Sequence, residues 1–154
     1  MAVVQLIANL LVNRMKNVNL ISVYDSKLSS SLGRKRLDDV IKNANLEPHQ
    51  CHSNTIHFIW ALDDTKGGFE CYWCEGWIDV CKGMPELGHC VVKVDDEYID
   101  LNLQKGKTRP MEIVNEIQPQ AYVKFCAKNR SWSFIDCQSV RYCNETQGWG
   151  MFQR

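Results

Sequence analysis

The chain has 154 residues, with 18 basic and 18 acidic side chains and a formal net charge of zero. Its length fits one domain, and its 45% hydrophobic and 23% charged residues are typical of a folded globular protein and exclude a disordered chain. The charge balance excludes general electrostatic binding to nucleic acid or to an anionic membrane, and no apolar run is long enough to span a bilayer.

Apolar residues with helical spacing occur near the beginning of the chain. They are Val3, Leu6, Ile7, Leu10 and Leu11. Their spacing predicts a helix over residues 3–15. This stretch lacks the basic residues and the small-residue cleavage site of a secretory signal. We therefore expect a cytoplasmic protein, in which the eight cysteines stay reduced.

Two further helices are predicted in the first half of the chain. Residues 29–33 are rich in serine and end in glycine, which is typical of a linker. Apolar residues then recur with helical spacing at Leu37, Val40, Ile41 and Ala44. A third helix is predicted to begin near Cys51 and to end at residues 66–68.

The pattern changes to strands after the third predicted helix. Residues 69–81 are rich in aromatic and β-branched residues, with Gly76 as a predicted bulge. Residues 89–94 and 98–103 predict a hairpin that turns at residues 95–97. Helices followed by such strands predict an α+β domain, in which N-terminal helices pack on an antiparallel β-sheet.

Three more elements are predicted after the hairpin. Residues 110–117 predict a short helix with proline at its first position. Residues 121–127 and 132–135 are predicted to be strands.

Cys51, His89 and Asp100 form the first candidate site. A thiol near a helix N-terminus and beside an imidazolium ionises readily and becomes a nucleophile. His89 begins a predicted strand, and a two-residue hairpin loop places it on the same sheet face as Asp100 and Asn102. A three-residue loop places Asp100 on the opposite face, so the triad depends on the length of this turn.

The motifs around these residues resemble those of a known family. Cys51-His-Ser-Asn54, then Glu75-Gly-Trp77, then His89 and finally Ile99-Asp100 stand in this order. This order is similar to the pattern of small phage and bacterial papain-like proteins of the NlpC/P60 and transglutaminase-like branches. The resemblance covers residues 51–102, a third of the chain.

The resemblance implies a single papain-like domain over residues 1–154. In it, residues 1–47 are the helical N-terminal part, residues 48–103 the catalytic core and residues 104–154 a C-terminal extension. It implies that Cys51 is the nucleophile, His89 the base and Asp100 the residue that orients the base.

Five residues are candidates for supporting roles at this site. The backbone of Cys51 and the side chains of Gln50 and Asn54 are candidate oxyanion donors. Asn102 is a substitute for Asp100 as the residue that orients the base. Glu75 matches a structural or substrate-lining element of the family, and Trp77 is a candidate lining residue.

A zinc site is an alternative interpretation of the cysteines. The Cys71-x-x-Cys74 spacing is typical of half a zinc site, and Cys81 with His89 or Cys90 supplies the other half. An extended strand over residues 69–81 opposes this, because it directs Cys71 and Cys74 to opposite faces. Three other cysteines, Cys126, Cys137 and Cys143, suggest no role.

The sequence therefore predicts a thiol hydrolase or acyltransferase that acts on an amide or peptide bond and needs no cofactor. Its partner is a peptide, a protein or another amide-containing substrate. The alternatives are a catalytically inert interaction or inhibitor protein of a phage or mobile element, directed at a host protein, and a zinc-stabilised structural domain.

Overall fold

The computed structural model describes residues 16–79, 86–131, 133 and 140–141. The strands in these residues are β1 (Lys16–Ser22), β2 (Cys71–Ile78), β3 (Glu86–Val94), β4 (Glu97–Asp100), β5 (Thr108–Ile117) and β6 (Val140–Arg141). The helices are α1 (Lys27–Leu32), α2 (Arg34–Ala44), α3 (Cys51–Asp63) and α4 (Pro119–Asn129), and a short 3-10 helix, Val23–Asp25, precedes α1.

Five of the strands close into a barrel. Each pairs with two others, in the order β2, β5, β1, β4, β3 and back to β2. The β1 and β4 strands run parallel, with Ile21 beside Ile99, whereas the other four pairs are antiparallel. Closure removes the open edges that a flat sheet exposes. The short β6 strand adds to β3 at Glu86 and Leu87.

This barrel shows that the predicted papain-like fold, with N-terminal helices packed on an antiparallel sheet, is wrong. The β1 strand precedes every described helix and pairs in parallel with β4, so the sheet is neither open nor wholly antiparallel. Parallel strands need a long crossover, and here α1, α2, α3, β2 and β3 lie between β1 and β4 in the chain. Local hydrophobic patterns do not encode such a distant pairing.

The buried hydrophobic residues form two clusters. One consists only of strand residues and includes Leu20, Val91 and Met111. The other joins the helices to the strands and includes Leu37, Phe58 and other helical residues together with strand residues such as Trp73. The second cluster holds α3 against the barrel, and α3 begins at Cys51.

Several predicted elements are confirmed. The predicted amphipathic helix is α2, with Leu37, Val40 and Ala44 buried. The predicted third helix is α3, which begins at Cys51. The hairpin of β3 and β4 pairs Val94 with Glu97, so its loop has two residues. Asp95 has a φ of 53°, as the mirror-image turns of two-residue hairpins require.

Gly76 lies at a bulge, as predicted. Between β2 and β5, Glu75 pairs with Asn115 whereas Gly76 pairs with Ile113, so one residue of β5 is skipped. A Cβ atom on Gly76 would lie 1.8 Å from the carbonyl oxygen of Glu112. Only glycine therefore permits this approach of the two backbones.

Three predicted elements are wrong. Residues 110–117 are not a helix but belong to β5. Pro110 is tolerated there because β5 pairs with β1 at this point and begins to pair with β2 only at Glu112. Residues 29–33 are not a linker, because Leu28 and Leu32, one helical turn apart, are buried and stabilise α1.

Residues 121–127 were predicted as a strand but belong to α4. Pro119 occupies its first turn, where proline is favoured. Tyr122 and Cys126 are one helical turn apart, and both contact the core cluster that joins helices and strands. The predicted helix over residues 3–15 and the predicted strand over residues 132–135 lie outside the described residues, apart from Ser133.

Candidate active site

Cys51 is the first residue of α3 and is half-buried. The first N–H groups of a helix have no intrahelical partner and give this end a partial positive charge. The thiol therefore lies where a negative charge is favoured. The backbone N–H of Cys51 belongs to this set and is a candidate oxyanion donor.

His89 and Asp100 form a buried pair beside Cys51, as predicted. His89 Nε2 lies 2.9 Å from Asp100 Oδ2. The other oxygen of Asp100 accepts a hydrogen bond of 2.9 Å from the backbone N–H of Asn102. His89 also acts on the thiol, because hydrogen bonding and positive charge from His89 lower the pKa of Cys51.

The two-residue turn explains why these side chains meet. The register of β3 and β4 pairs Val92 with Ile99 and Lys93 with Tyr98. Continued by three residues, this register sets His89 opposite Asn102 and one diagonal step from Asp100. The hairpin loop therefore has the two residues that place His89 and Asp100 on the same face of the sheet.

A second imidazole, His52, lies on the other side of the thiol. Its Nδ1 atom is 3.3 Å from the sulfur of Cys51, and its Nε2 atom is 3.5 Å from Oε2 of Glu75. The side chain is buried and its ring packs against Trp73, with ring centroids 5.7 Å apart. Sequence reasoning missed His52, because its burial depends on β2 and its partner is 23 residues away.

Glu75 is fully buried in β2, and three of the groups around its carboxylate are Asn115, Ser133 and His52. Asn115 Nδ2 donates a hydrogen bond of 3.0 Å to Oε1, and Ser133 Oγ donates one of 2.6 Å to Oε2. His52 is the third group. The residue predicted to have a structural or lining role thus orients an imidazole.

The pKa of Cys51 is the sum of opposing effects. Burial alone raises it, but hydrogen bonds and positive charge from His52 and His89 outweigh burial and lower the thiol pKa to about 6. Burial lowers the pKa of each histidine, yet the thiol and the carboxylates Glu75 and Asp100 raise both pKa values to about 9. Between these values the thiolate and the imidazolium coexist.

The other cysteines described in β2 and β3 behave differently. Burial raises the pKa of Cys71 to about 12, and it raises the pKa values of Cys74 and Cys90 well above the usual range. These thiols stay protonated at neutral pH. Burial is the largest effect on these thiols and no imidazole offsets it, which explains the difference from Cys51.

The arrangement of the strand cysteines opposes the zinc alternative. Cys71 and Cys90 contact the cluster that joins helices and strands, whereas Cys74 belongs to the cluster of strand residues. Cys71 and Cys74 therefore lie on opposite faces of β2. Within residues 16–79 and 86–131, no three histidine, cysteine or carboxylate side chains are grouped to hold a metal ion. Cys81, Cys137 and Cys143 lie outside the described residues.

Among the predicted supporting residues, Asn54 has a structural role and binds the backbone before α3. Its Oδ1 atom accepts a hydrogen bond of 2.8 Å from the backbone N–H of Glu47, and its Nδ2 atom donates one of 2.7 Å to the carbonyl of Glu47. Asn54 thereby ties α3 to the segment before it. Its amide is occupied and does not face the thiol as an oxyanion donor.

The remaining predicted supporting residues differ in exposure. Gln50 precedes Cys51 and is exposed, and its side chain makes no helix cap. Asn102 is also exposed and contributes its backbone N–H to Asp100. Trp77 is 4% exposed and packs inside the molecule, so it does not line an open cleft.

A cavity of about 700 Å³ lies away from this site, at the C-terminal end of α3. Its walls include Ile59, Phe69 and Val123, and none of the groups around the thiol. Its position gives no reason to associate it with the chemistry of Cys51.

Comparison of the chain with protein-family models, with curated proteins and with solved structures finds no match. None of the helices in the described residues is both long and apolar enough to cross a membrane. The function is therefore argued from the geometry around Cys51.

Proposed function

We propose that the protein is a thiol hydrolase or acyltransferase that acts on an amide or peptide bond. The observation that carries the proposal is the position of the Cys51 thiol, at a helix N-terminus and beside a histidine that is itself bound to a buried aspartate. This combination gives a nucleophile, a proton carrier and a group that orients the carrier. The resemblance to the NlpC/P60 and transglutaminase-like families implies the same chemistry.

In the first half of the reaction, the Cys51 thiolate attacks the carbonyl carbon of the substrate and forms an S–C bond. The negative charge moves to the carbonyl oxygen, where the backbone N–H of Cys51 and the side chain of Gln50 are the candidate donors. The C–N bond then breaks, and His89 gives its proton to the leaving amine. The product is a thioester on Cys51 and a neutral His89.

In the second half, the neutral His89 takes a proton from the acceptor, which is water in a hydrolase and an amine in an acyltransferase. The acceptor oxygen or nitrogen bonds to the carbonyl carbon, the S–C bond breaks and the thiolate returns. Asp100 remains charged throughout and keeps Nε2 of His89 oriented. The cycle needs a reduced Cys51, which supports a reducing compartment such as the cytoplasm.

An ester with a good leaving group tests this proposal without knowledge of the natural substrate. We expect the protein to release p-nitrophenol from p-nitrophenyl acetate and to carry an acetyl group on Cys51, located by peptide mass spectrometry. The C51S variant should lose turnover by roughly 10³-fold or more. The C71S variant, which removes another half-buried thiol, is the matched control and should retain turnover.

Addition of an amine acceptor separates the two reaction types. Transfer of the acetyl group to the amine indicates an acyltransferase, and release of acetate alone indicates a hydrolase. Wild-type turnover no faster than that of C51S contradicts the proposed enzyme and favours the inert interaction protein.

A further inference from the structure

The Cys51 thiol has two imidazoles beside it, whereas the proposed cycle uses only one. His89 is held by Asp100, and His52 is held by Glu75. In both histidines Nε2 faces a buried carboxylate, and Nδ1 of His52 lies 3.3 Å from the sulfur of Cys51. The site therefore contains two carboxylate–imidazole pairs that converge on one thiol.

We propose that His52 is a second catalytic imidazole, which keeps its proton throughout the cycle and holds Cys51 as a thiolate, while Glu75 is the positioning residue that keeps His52 protonated. This inference rests on the proposed function of Cys51. It assigns proton exchange with the substrate to His89 and stabilisation of the sulfur charge to His52.

The surroundings of His52 support a fixed role. Its ring lies against Trp73, and the indole Nε1 of Trp73 donates a hydrogen bond of 3.4 Å to the carbonyl oxygen of His52. Glu75 is itself fixed by Asn115 and Ser133. A buried imidazole beside a carboxylate with two other donors retains its proton more readily than an exposed one.

The charged and titratable groups around the two imidazoles come from five elements. Glu75 belongs to β2, His89 and Cys90 to β3, Asp100 to β4, Tyr122 to α4, and Arg109, whose Nη1 lies 4.0 Å from Oδ2 of Asp100, to β5. The pKa values of Cys90 and Tyr122 are raised by burial, so both groups are neutral near pH 7. The thiolate and two carboxylates thus face two imidazoles, which allows both rings to be protonated together.

The proposed division of roles balances the protons of each step. His89 loses its Nδ1 proton to the leaving amine and recovers one from the acceptor. His52 gains and loses none. When the thioester breaks, the sulfur leaves as a thiolate beside the His52 imidazolium, so no proton needs to reach it.

The test measures the pH at which Cys51 reaches half of its maximal rate of alkylation by iodoacetamide, with each cysteine followed by peptide mass spectrometry. Glutamine is the suitable replacement for either histidine. Its amide nitrogen takes the place of Nε2 beside the carboxylate, whereas nothing titratable remains at Nδ1. H57Q, which changes an exposed histidine of the same helix, is the matched control.

We expect the midpoint to rise by about 1 pH unit in H52Q and in H89Q and to exceed about 8.5 in the double variant, because burial then raises the thiol pKa with no imidazole to oppose it. Ester turnover separates the two roles. H52Q should lose about fivefold at pH 6 and recover to within about twofold of wild type at pH 8.5, because a thiol with a midpoint of about 7 is almost fully ionised there. H89Q should not recover at any pH.

E75Q provides a second variant, which retains the shape of the buried side chain but removes its charge. It should raise the midpoint in the same direction as H52Q. E116Q, which changes a half-buried carboxylate that binds Lys93 and Tyr98 outside the site, is its control and should leave the midpoint unchanged. Thermal unfolding of each variant shows that it is folded.

The outcomes distinguish this inference from the function on which it rests. If H52Q and E75Q keep the alkylation midpoint of the wild-type protein while H89Q raises it, the proposed role of His52 is wrong. The Cys51–His89 mechanism then remains. A wild-type protein whose Cys51 titrates like an ordinary thiol overturns both.

Discussion

At Cys51, burial and charge act on the same thiol in opposite directions. Removal from water favours the neutral thiol, whereas two imidazoles and a helix N-terminus favour the thiolate. The charge prevails, and the pKa falls to about 6. Cys74 and Cys90 are more deeply buried and lack a histidine beside them, so the same burial keeps them inert.

The first prediction concerns Asp100. Replacement by asparagine retains the size of the side chain but removes the charge that orients His89 and favours its protonated form. We expect D100N to lose roughly 10²- to 10⁴-fold in ester turnover. D96N, which removes an exposed carboxylate paired with Lys27 in the turn of the same hairpin, is the control. Equal turnover in the two variants contradicts the role of Asp100.

Helix α3 depends on Asn54 as much as on its apolar face. Asn54 is buried and makes two hydrogen bonds to the backbone of Glu47, which fix the segment that enters the helix at Cys51. N54A leaves both backbone groups of Glu47 without this partner. We expect the free energy of unfolding in urea to fall by about 2 kcal/mol.

The control for N54A is S53A, because Ser53 is only half-buried and makes one longer hydrogen bond of 3.3 Å to the carbonyl of Gln50. It should change the free energy of unfolding by less than about 0.5 kcal/mol. If N54A is as stable as S53A, the proposed anchoring of α3 is wrong.

The bulge between β2 and β5 fixes the position of Glu75. By skipping one residue of β5, it pairs Glu75 with Asn115, whose amide then binds the carboxylate. G76A places a methyl group 1.8 Å from a carbonyl oxygen of β5 and forces the two strands apart. We expect a loss of about 3 kcal/mol in the free energy of unfolding. An unchanged urea midpoint is the contrary result.

The hairpin shows what local sequence encodes. Strand periodicity predicted that His89 and Asp100 share a face if the turn has two residues, and the turn does have two. The sequence left the length of this turn open, and the resemblance to the papain-like families added Cys51 to the pair. The β5 strand and α4 were predicted incorrectly, because Pro110 and the run from Ala121 carry local signals that tertiary packing overrides.

The contact between His52 and Glu75 could not be predicted from local sequence patterns. The histidine is on α3 and the glutamate on β2, and they meet only because α3 packs on the barrel. The parallel pairing of β1 with β4, which closes the barrel, also depends on distant residues. The proximity of His89 and Asp100 was therefore predictable for a two-residue turn, whereas the position of His52 and the fold were not.

At the scale of the whole molecule, the cysteines report on folding. Cys74 and Cys90 are buried in the two hydrophobic clusters. Cys51, at the first residue of α3, is only half-buried. The buried thiols can react only when the structure opens. Cys51 reacts in the folded state.

We therefore expect alkylation of Cys74 and Cys90 at pH 7 to accelerate with urea below the unfolding transition, in parallel with the population of open molecules. Alkylation of Cys51 should stay nearly constant over the same range. Peptide mass spectrometry follows all three thiols in one sample. Reaction of Cys74 at the rate of Cys51 without urea would contradict the closed barrel.

The most direct test of the central claim is the pH dependence of Cys51 alkylation in the wild-type protein. The imidazoles lower the pKa of the thiol to about 6, so the thiolate forms as the pH rises through this value. The rate of reaction with iodoacetamide should therefore reach half of its maximum near pH 6 and remain high at pH 8. A midpoint near about 8.5, the value of an ordinary cysteine, would contradict an activated nucleophile at Cys51.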